Sequence, residues 1–318
     1  MAVIIYAESV NNTYKKSSLE AVTYGKDLAN KLGTSTIAIS MGTVGPQNLG
    51  TYGADVHIHC IDDSLNSFNP QTFANTISTL ANINGGDVFV ISQTYNGKSI
   101  APLLAVKQDA ALVTGVVEMA ETEDTFTVKK TAFSSKAIAH VELKANKKVL
   151  SIIPNSYKIE ETGTDISTTE QNVGSSNANT TIVSTHKETG KIPLTEAELV
   201  VSAGRGLKGA ENWHMVEDLA NALGAATACS KPVSDMEWRP HSEHVGQTGI
   251  TIKPNLYIAA GISGAIQHLA GVGSSKVICV INTDPEAPFF KAADYGIVGD
   301  AFEVLPRLLK RVKEVKGI

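Results

Sequence analysis

The chain has few cysteines and no long apolar run. Its 318 residues contain three cysteines, Cys60, Cys229 and Cys279, which are widely spaced and odd in number. Such cysteines are typical of buried thiols in a reducing compartment and argue against a disulfide framework or a zinc site. No apolar run reaches membrane-spanning length, and the N-terminal run is too short for a signal-peptide core. We therefore expect a cytoplasmic, bacterial-type protein that has no signal or transit peptide and does not insert into a membrane.

Arginine is also scarce. The first of only four arginines is Arg205, so the N-terminal segment does not resemble an Arg-rich transit peptide. The formal net charge is -5. Because phosphate backbones are bound by basic surfaces, this charge argues against a nucleic-acid-binding protein.

The first half of the chain alternates strand-like and helix-like patterns. Short apolar runs predict strands, and runs with apolar residues at helical spacing predict helices between them. This order is typical of a parallel sheet with helices on its faces. The predicted strands cover residues 3–7, 35–40, 55–60 and 87–92, and the predicted helices cover residues 18–32, 73–80 and 99–107.

From about Leu112 the pattern changes to strand-like runs without helices between them. The runs at 113–117, 125–133, 137–143 and 148–154 predict an antiparallel part added to this domain. Residues 160–195 are rich in Ser, Thr, Asn and Gly and predict a polar linker, with one short strand around Ile182 and Val183. We predict an N-terminal α/β domain over residues 1–159 and a C-terminal α/β domain over residues 196–318. Each is a mainly parallel sheet flanked by helices.

The second half repeats the alternation, and each predicted strand ends in glycine or in a small polar or charged group. In an open parallel sheet, ligands bind just beyond the carboxyl ends of the strands. Five such endings in one domain favour a ligand site over ordinary turns. The endings are Gly204-Arg205-Gly206, Ser230-Lys231, Gly261-Ile262-Ser263-Gly264, Asn282 and Asp300.

The first ending continues to Gly209 with the G-x-G-x-x-G spacing of a dinucleotide-binding loop. The NAD-binding form of this loop has an acidic residue after the next strand, which holds the ribose. This chain has Cys229-Ser230-Lys231 there, so an NAD(P)-dependent dehydrogenase that uses the Gly204-Arg205-Gly206 loop is the weaker alternative. A non-redox adenine-nucleotide module is a third. Arg205 on a glycine loop is typical of an anion clamp, and a surface arginine on a turn is the other interpretation.

Two further motifs place polar groups beside the same strand ends. They are Val245-Gly246-Gln247-Thr248-Gly249 and Gly261-Ile262-Ser263-Gly264-Ala265-Ile266-Gln267-His268. Ser263 is the predicted N-cap of a helix, whose N–H groups can face a phosphate. His268 suits a core position and a functional one equally. Together the two motifs favour a nucleotide cofactor.

The remaining histidines give weaker signals. His57 and His59 share one face of a strand, and strand packing is favoured over metal binding because no cysteine or carboxylate accompanies them at ligand spacing. His241 and His244 flank Glu243 in a polar loop, which we expect to face solvent or a partner. No metal site is predicted.

In order and spacing, the second half resembles the alpha subunit of electron transfer flavoprotein. The first half agrees in length and in its strand–helix order but has little signature of its own. The resemblance rests on the motifs quoted above together with Val201-Ser202-Ala203, Pro254-Asn255-Leu256-Tyr257-Ile258-Ala259, Ile281-Asn282-Thr283-Asp284-Pro285-Glu286-Ala287-Pro288 and Ala293-Asp294-Tyr295-Gly296-Ile297-Val298-Gly299-Asp300.

The resemblance implies a heterodimer of alpha and beta subunits with FAD in the C-terminal domain of alpha. Such a protein is an electron carrier rather than a catalyst with its own substrate. It accepts electrons from flavin dehydrogenases, such as the acyl-CoA dehydrogenases of fatty acid beta-oxidation, and passes them to an acceptor such as a quinone oxidoreductase. The residues implied to bind FAD are Arg205, Ser230, Lys231, Val245, Gly246, Gln247, Thr248, Ser263, Gly264, Ala265, Ile266, Gln267, His268, Asn282, Asp300 and Ala301.

The resemblance also implies which part of the cofactor these residues face. Thr248 would lie near flavin N5 and His268 near the pyrimidine oxygen. Arg205, Ser263 and Asn282 would lie toward the ribityl, phosphate and adenosine side. A donor at the pyrimidine edge stabilises negative charge on the reduced ring and so raises its potential.

One position departs from the family pattern. Members commonly have Ser-Arg after the second strand of this domain, where this chain has Ser230-Lys231. Arginine can stack over the flavin ring, whereas lysine is a point charge that cannot stack as a plane. We expect Lys231 to keep the positive charge but to hold the reduced flavin less rigidly. The sequence leaves open which dehydrogenase donates, and whether electrons go to a respiratory quinone pool or to a bifurcating complex.

Overall fold

The computed structural model describes residues 1–42, 44–133, 136–174, 180, 182–184 and 192–318. The chain divides into two compact units, Met1–Thr131 with Ile138–Lys187, and Ala132–Ala137 with Glu188–Ile318. Across these described ranges, no helix is long and apolar enough to cross a membrane.

The first part of the chain folds into a sheet with helices packed on it. Its strands are β1 (Ala2–Tyr6), β2 (Ser9–Val10), β3 (Thr13–Tyr14), β4 (Ser35–Met41), β5 (Val56–Cys60), β6 (Gly86–Ser92), β7 (Ala111–Val116), β8 (Thr127–Ala132), β9 (Ala137–Glu142), β10 (Lys148–Ile152) and β11 (Thr168–Gln171). Its α-helices are α1 (Lys16–Leu32), α2 (Pro70–Asn84) and α3 (Tyr95–Gln108).

Nine of these strands form one sheet in the order β11-β5-β4-β1-β6-β10-β7-β8-β9. The pairs from β11 to β7 are parallel, and β8 is antiparallel to β7. Alternate residues of β1 face the two sides. Val3 and Ile5 pack in the cluster that contains α1, and Ile4 packs in the one that contains α2 and α3. This mainly parallel sheet with an antiparallel part confirms the predicted fold class.

The prediction for residues 148–154 was wrong in one respect. β10 is not in the antiparallel part but lies between β6 and β7 and is parallel to both. Val149, Leu150 and Ile152 are buried. A strand that is apolar on both faces belongs inside a parallel sheet covered by helices on both sides, and this explains the position of β10.

The predicted linker over residues 160–195 contains a strand that the sequence did not indicate. β11 pairs in parallel with β5, with Thr168 opposite His57. The first three residues of β11 are exposed. β11 is an edge strand, and such a strand can be held by main-chain hydrogen bonds without an apolar face. Ile182 and Val183, where a strand was expected, have no strand structure, and Val183 is 94% exposed.

The helix ends of this unit follow from local signals. The Asn69 side chain accepts hydrogen bonds from the N–H groups of Gln71 and Thr72, and proline occupies the first turn of α2. α2 ends at Gly85, whose φ of 67° suits glycine. Thr94 caps α3 in the same way by accepting from Gly97 N–H.

The second unit has its own sheet, which is parallel throughout. Its strands are β12 (Leu199–Ala203), β13 (Ala226–Cys229), β14 (Leu256–Ala260), β15 (Val277–Asn282) and β16 (Tyr295–Val298), in the order β13-β12-β14-β15-β16. Its α-helices are α4 (His214–Leu223), α5 (Lys231–Asp235), α6 (Ile266–Val272) and α7 (Ala301–Lys316). The clusters around Trp213 and Leu305 on one face and Tyr257 and Phe289 on the other form its core.

Candidate functional site

The second sheet has a crevice between the carboxyl ends of β12 and β14. Counted within this sheet, the strand order is 2-1-3-4-5, so the chain leaves the first and third strands in opposite directions. Ligands of open parallel sheets bind at such a switch point. The loops that leave these two strands begin at Gly204 and Gly261, which are two of the strand endings singled out in the sequence.

The two loops meet backbone against backbone. Gly204 N–H donates to the Ala260 carbonyl at 3.0 Å, and Gly206 N–H donates to the Gly261 carbonyl at 3.1 Å. A Cβ on Gly206 would lie 2.6 Å from Gly261 Cα, and Gly261 has a φ of 61°. Any side chain here would push the loops apart, so glycine is required for this close approach.

A cavity of about 480 Å³ opens at this crevice. Its volume is within the range of cofactor pockets. It is lined by the loops after β12, β13 and β14, by residues 244–248 and by the start of α6. The predicted cofactor residues that line it are Arg205, Ser230, Lys231, Val245, Gly246, Gln247, Thr248, Ser263, Ala265, Gln267, His268 and Asn282.

Two predicted residues of the loop after β14 do not line the cavity. Gly264 faces the core, because a Cβ there would lie 2.3 Å from the Cβ of Phe289. Ile266 is 56% exposed. Cofactor contact by these two residues stays a prediction. The predicted cap at Ser263 was wrong: α6 begins at Ile266 with Ala265 as its N-cap, and the Ser263 carbonyl accepts from Phe289 N–H.

Asp300 and Ala301 are also outside the cavity lining. The Asp300 carboxylate accepts from Phe302 N–H at 3.0 Å and so caps α7, and it lies 3.7 Å from the Lys208 ammonium. Ala301 is buried in the core beside Leu305. Cofactor contact by these two residues stays a prediction.

Cations line one part of the cavity. Arg205 and Lys231 are both exposed, and within the described ranges neither forms an ion pair. Asp235, at the end of α5, is the acidic residue among the lining residues. Unpaired cations beside a cavity favour an anionic ligand group. Ser230, the N-cap of α5, is buried, and its N–H donates to the Ala203 carbonyl.

The turn at residues 246–249 is held against α6. Gln247 N–H donates to the Gln267 carbonyl at 2.7 Å, and Gly249 N–H donates to the Gly246 carbonyl at 3.1 Å. Gly246 has a φ of 152°. A Cβ at Gly271 would lie 2.6 Å from the Cα of Gly246. The turn is therefore fixed by its backbone, which leaves the side chains of Gln247 and Thr248 exposed at the cavity.

Asn282 stabilises the loop after β14 from the next strand. Its side-chain amide donates to the Ile262 carbonyl at 3.0 Å, and its side-chain oxygen accepts from Asp284 N–H at 3.0 Å. The side chain thus fixes the shape of the cavity wall where it lines the site.

His268 occupies a core position and lines the cavity at the same time. It is 7% exposed, and its Nε2 is 2.8 Å from the Tyr257 hydroxyl. Its Nδ1 is buried and, among the residues that the structure describes, has no hydrogen-bond partner. Burial lowers the pKa of His268 to about 4, His244 adds to this effect and the nearby backbone of Val245 opposes it, so the ring is neutral at pH 7.

Some lining residues were not singled out for this site from the sequence. The glycines and Ile262 belong to motifs quoted from the sequence. Pro232 and Asp235 lie in α5, and a serine N-cap with a proline in the first turn is a helix-start signal that could have placed them beside Ser230. His244 had no such signal. The full set is Gly204, Gly206, Pro232, Asp235, His244, Gly261 and Ile262.

The loop before the 246–249 turn differs from the expectation for His244. The structure leaves His241 exposed but buries His244 to 2% exposure against the cavity. Two sets of contacts hold this loop: the Arg239 guanidinium contacts both carboxylate oxygens of Glu243, at 2.8 and 2.7 Å, and the His244 carbonyl accepts from Ile250 N–H at 2.8 Å.

His57 and His59 lie in the first sheet and are tied to neighbouring strands. The Ser40 hydroxyl lies 2.8 Å from His57 Nε2 and 3.1 Å from His59 Nδ1. His57 Nδ1 is 2.9 Å from the Thr168 hydroxyl of β11. These contacts link β4, β5 and β11.

The comparisons with known proteins agree with this geometry. The Electron transfer flavoprotein FAD-binding domain matches residues 193–273, and the Electron transfer flavoprotein domain matches residues 3–192. Three curated electron transfer flavoprotein subunits alpha cover 98% of this chain: that of Syntrophomonas wolfei is 33% identical, and those of Bacillus subtilis and Pseudomonas aeruginosa are each 32% identical. The matches cover 98%, 98% and 100% of these relatives, respectively.

The cavity, its two exposed cations and its glycine loops all lie in the unit that contains the matched FAD-binding domain. The chain belongs to the family of electron transfer flavoprotein alpha subunits, with FAD as its cofactor and electron transport as its role.

Proposed function

We propose that this chain is the FAD-binding subunit of a heterodimer with an electron transfer flavoprotein beta subunit. The pair accepts electrons from flavin dehydrogenases, such as the acyl-CoA dehydrogenases of fatty acid beta-oxidation. It passes them to a downstream oxidoreductase, such as a quinone oxidoreductase. We place it in the cytoplasm, in accord with three free cysteines. The observation that carries the proposal is the cavity between β12 and β14, lined by the exposed cations Arg205 and Lys231 and by two buried imidazoles.

The lining residues fit the chemistry of FAD. A diphosphate needs cations and N–H donors, and a flat ring needs close backbone approach with a few polar groups at its edge. Arg205 provides a cation, and the backbone around Ser263 provides N–H groups. We assign both, together with Asn282, to the ribityl, phosphate and adenosine side. The Gly246–Gly249 turn, with Thr248 assigned near N5, provides the close backbone approach and a polar group for the flat ring.

We assign His268 to the pyrimidine edge of the flavin. Bound FAD supplies the one- and two-electron redox chemistry of the protein. A neutral imidazole has one donor and one acceptor nitrogen, and Tyr257 uses one of them. Because Nδ1 is closed to solvent, we assign Nε2 to the cofactor as well as to Tyr257, and a fixed hydrogen bond there stabilises negative charge on the reduced ring. Tyr257, buried and with a raised pKa, stays protonated and holds the imidazole in place.

The dehydrogenase alternative has less support. A ribose-binding acid is expected directly after β13, where the chain has Ser230 and Lys231. Asp235 lies further on, at the end of α5, and does not occupy that place. We therefore assign an electron carrier that has no substrate of its own.

A visible spectrum of the purified protein, with any subunit that copurifies, tests the proposal. We expect flavin absorbance with about one FAD per chain, and bleaching on addition of an acyl-CoA dehydrogenase and its substrate. NADH alone should not bleach it. A colourless protein that binds NADH would contradict the proposal. Flavin that no flavin dehydrogenase reduces would leave the cofactor assigned but would rule out the proposed donors.

A further inference from the structure

His244 is a polar side chain buried at the cavity. It is 2% exposed and lines the same cavity as His268, Lys231 and Thr248. Its ring lies against the turn at 246–249. A Cβ on Gly249 would lie 2.8 Å from His244 Nδ1, and one on Gly246 would lie 3.5 Å from Nε2. The imidazole therefore lies directly beside the two glycines that flank Gln247 and Thr248.

A buried ion pair fixes the position of His244. Arg239 binds Glu243 through two hydrogen bonds and Glu217 through a third, of 2.9 Å, and its guanidinium lies 5.4 Å from the ring centre of Trp213. The Glu243 side chain is 7% exposed. Because Glu243 is the residue before His244, this anchor sets the backbone from which the imidazole enters the cavity wall.

The imidazole lacks a partner that its burial requires. Buried polar groups in native proteins are nearly always hydrogen-bonded, so an imidazole that lines a cavity and has no hydrogen-bond partner within the fold is suited to bind a ligand there. Within the part of the chain that the structure describes, His244 Nδ1 has no hydrogen-bond partner and is closed off on the side of Gly249, outside the cavity lining. Nε2 lies on the side of Gly246, which lines the cavity, and is the nitrogen that can reach a ligand. Burial lowers the pKa of His244, His241 and Lys231 lower it further, and Asp235 opposes them, so the ring is a neutral donor and acceptor at pH 7.

We propose that His244 is a further cofactor-binding residue, whose imidazole hydrogen-bonds FAD held between the Gly246–Gly249 turn and His268. This inference rests on the proposed FAD site and adds a residue to it. It gives the pocket two neutral imidazoles, one on α6 and one on the loop before β14. Both are desolvated, and each has an Nδ1 that lacks a partner among the residues described.

Three variants at this position separate hydrogen bonding from packing. His244→Leu keeps apolar volume and removes the polar edge, whereas His244→Gln keeps a donor and an acceptor at similar reach. His241→Leu is the matched control, since His241 is exposed, lies outside the cavity lining and has its ring centre 5.2 Å from that of His244. Binding of FAD to the apoprotein, measured by the quenching of flavin fluorescence, gives the dissociation constant.

We expect His244→Leu to weaken FAD binding about 10- to 100-fold, the usual effect of losing one hydrogen bond in a buried site. His244→Gln should stay within about fivefold of wild type, and His241→Leu should not change. In ¹⁵N spectra, the ring nitrogens of His244 should shift on FAD addition, and those of His241 should not. His244→Leu that folds and binds FAD as tightly as wild type would overturn the inference. So would unshifted His244 nitrogens in the FAD complex. If wild type itself binds no FAD, the proposed function fails first.

Discussion

The two sheets of this protein have the same kind of crevice and use it differently. In the first sheet the chain leaves β1 and β6 toward opposite sides, and the carboxyl ends of these strands carry Glu8 and Thr94. Glu8 is 4% exposed and is bonded by the Thr94 hydroxyl at 2.5 Å, by Asn96 at 2.9 Å and by Lys15 at 3.0 Å. The Glu8 carboxylate is therefore satisfied within the fold, although Ser92 Oγ, at the end of β6, and Gln93 Oε1, in the loop that follows it, are buried without a hydrogen-bond partner among the described residues.

The second crevice has the opposite character. Its strand ends carry glycines that approach within van der Waals contact, cations without ion-pair partners in the described ranges, and imidazoles whose Nδ1 atoms lack partners there. A parallel sheet with a switch point therefore offers a place for a ligand but does not ensure one. The close approach of the glycine loops and the cations without ion-pair partners in the described ranges distinguish the binding crevice from the structural one, where Glu8 is bonded by three side chains.

The largest effect is expected from a substitution that closes the second crevice. Gly261→Ala adds a Cβ 2.7 Å from Gly206 Cα at a φ of 61°, so the loops must separate and FAD binding should be lost. Gly224→Ala is the control, because its φ is 73° and no atom lies within 4 Å of the new Cβ. It should cost about 1–3 kcal/mol of stability from backbone strain yet keep FAD. The FAD content of both purified variants checks this, and FAD retained by a folded Gly261→Ala protein would contradict it.

The next largest effect is expected at the first crevice. Glu8→Ala leaves Lys15, Thr94 and Asn96 without their shared carboxylate and should destabilise the first unit by about 3–5 kcal/mol. FAD affinity should not change. Glu160→Ala removes an exposed partner of Lys158 and should change stability by less than about 0.5 kcal/mol. Far-UV circular dichroism during urea unfolding measures both. A Glu8→Ala variant that loses FAD while folded would erase the distinction between the crevices.

A smaller effect concerns pH and His268. Its pKa is about 4 in the folded protein and about 6.5 when unfolded, so the unfolded state binds one more proton between these values. Stability should therefore fall as pH drops from about 6.5 to 4, by up to about 3 kcal/mol from this residue. Trp213 and Trp238 both lie in the second unit, so tryptophan fluorescence reports its unfolding.

The matched variants isolate the contribution of His268. In FAD-free protein, the loss of stability from pH 7 to pH 4.5 should be smaller in His268→Gln than in wild type. His241→Gln, at an exposed histidine, should match wild type. Equal pH slopes in wild type and His268→Gln would show that the imidazole is not buried neutral at the second crevice.

The smallest expected effect is at Lys231, which is exposed at the cavity rim. Lys231→Arg keeps the charge and adds a plane that can stack on the flavin ring. We expect a shift of the flavin potentials of about 10–40 mV, corresponding to an interaction of about 0.5–2 kcal/mol for two electrons. Potentiometry of the wild type and the variant measures it. Identical potentials for both electron steps would remove the role assigned to this position.

Much of the second crevice was predictable from the sequence because its signals are local. Each strand ending is a short run after an apolar segment, and Gly204-Arg205-Gly206 and Gly261-Ile262-Ser263 are next to their strands. The positions of Gly264 and Asp300 were not predictable in this way. Gly264 faces Phe289 and Asp300 caps α7, and both depend on which neighbour the backbone meets.

The differences elsewhere have non-local causes. β10 lies between β6 and β7 although it follows them in the chain, and its place is set by burial on both faces. β11 is polar and is held by pairing with β5 rather than by a hydrophobic pattern. His244 lies in a polar stretch and is buried where the Arg239–Glu243 ion pair and a backbone bond from Ile250 hold the loop. Pairing partners and ion pairs of this kind leave no periodic signal in the sequence.

Hydrogen–deuterium exchange with and without FAD tests the central claim most directly, since it examines both crevices in one protein. We expect FAD to slow exchange at the backbone N–H groups of the segments 204–206, 245–248 and 263–268, which contain the lining residues of the second crevice. Residues 8–15 and 94–97, at the first crevice, should exchange at the same rate with and without FAD. Protection at the first crevice, or no protection at the second, would contradict the account.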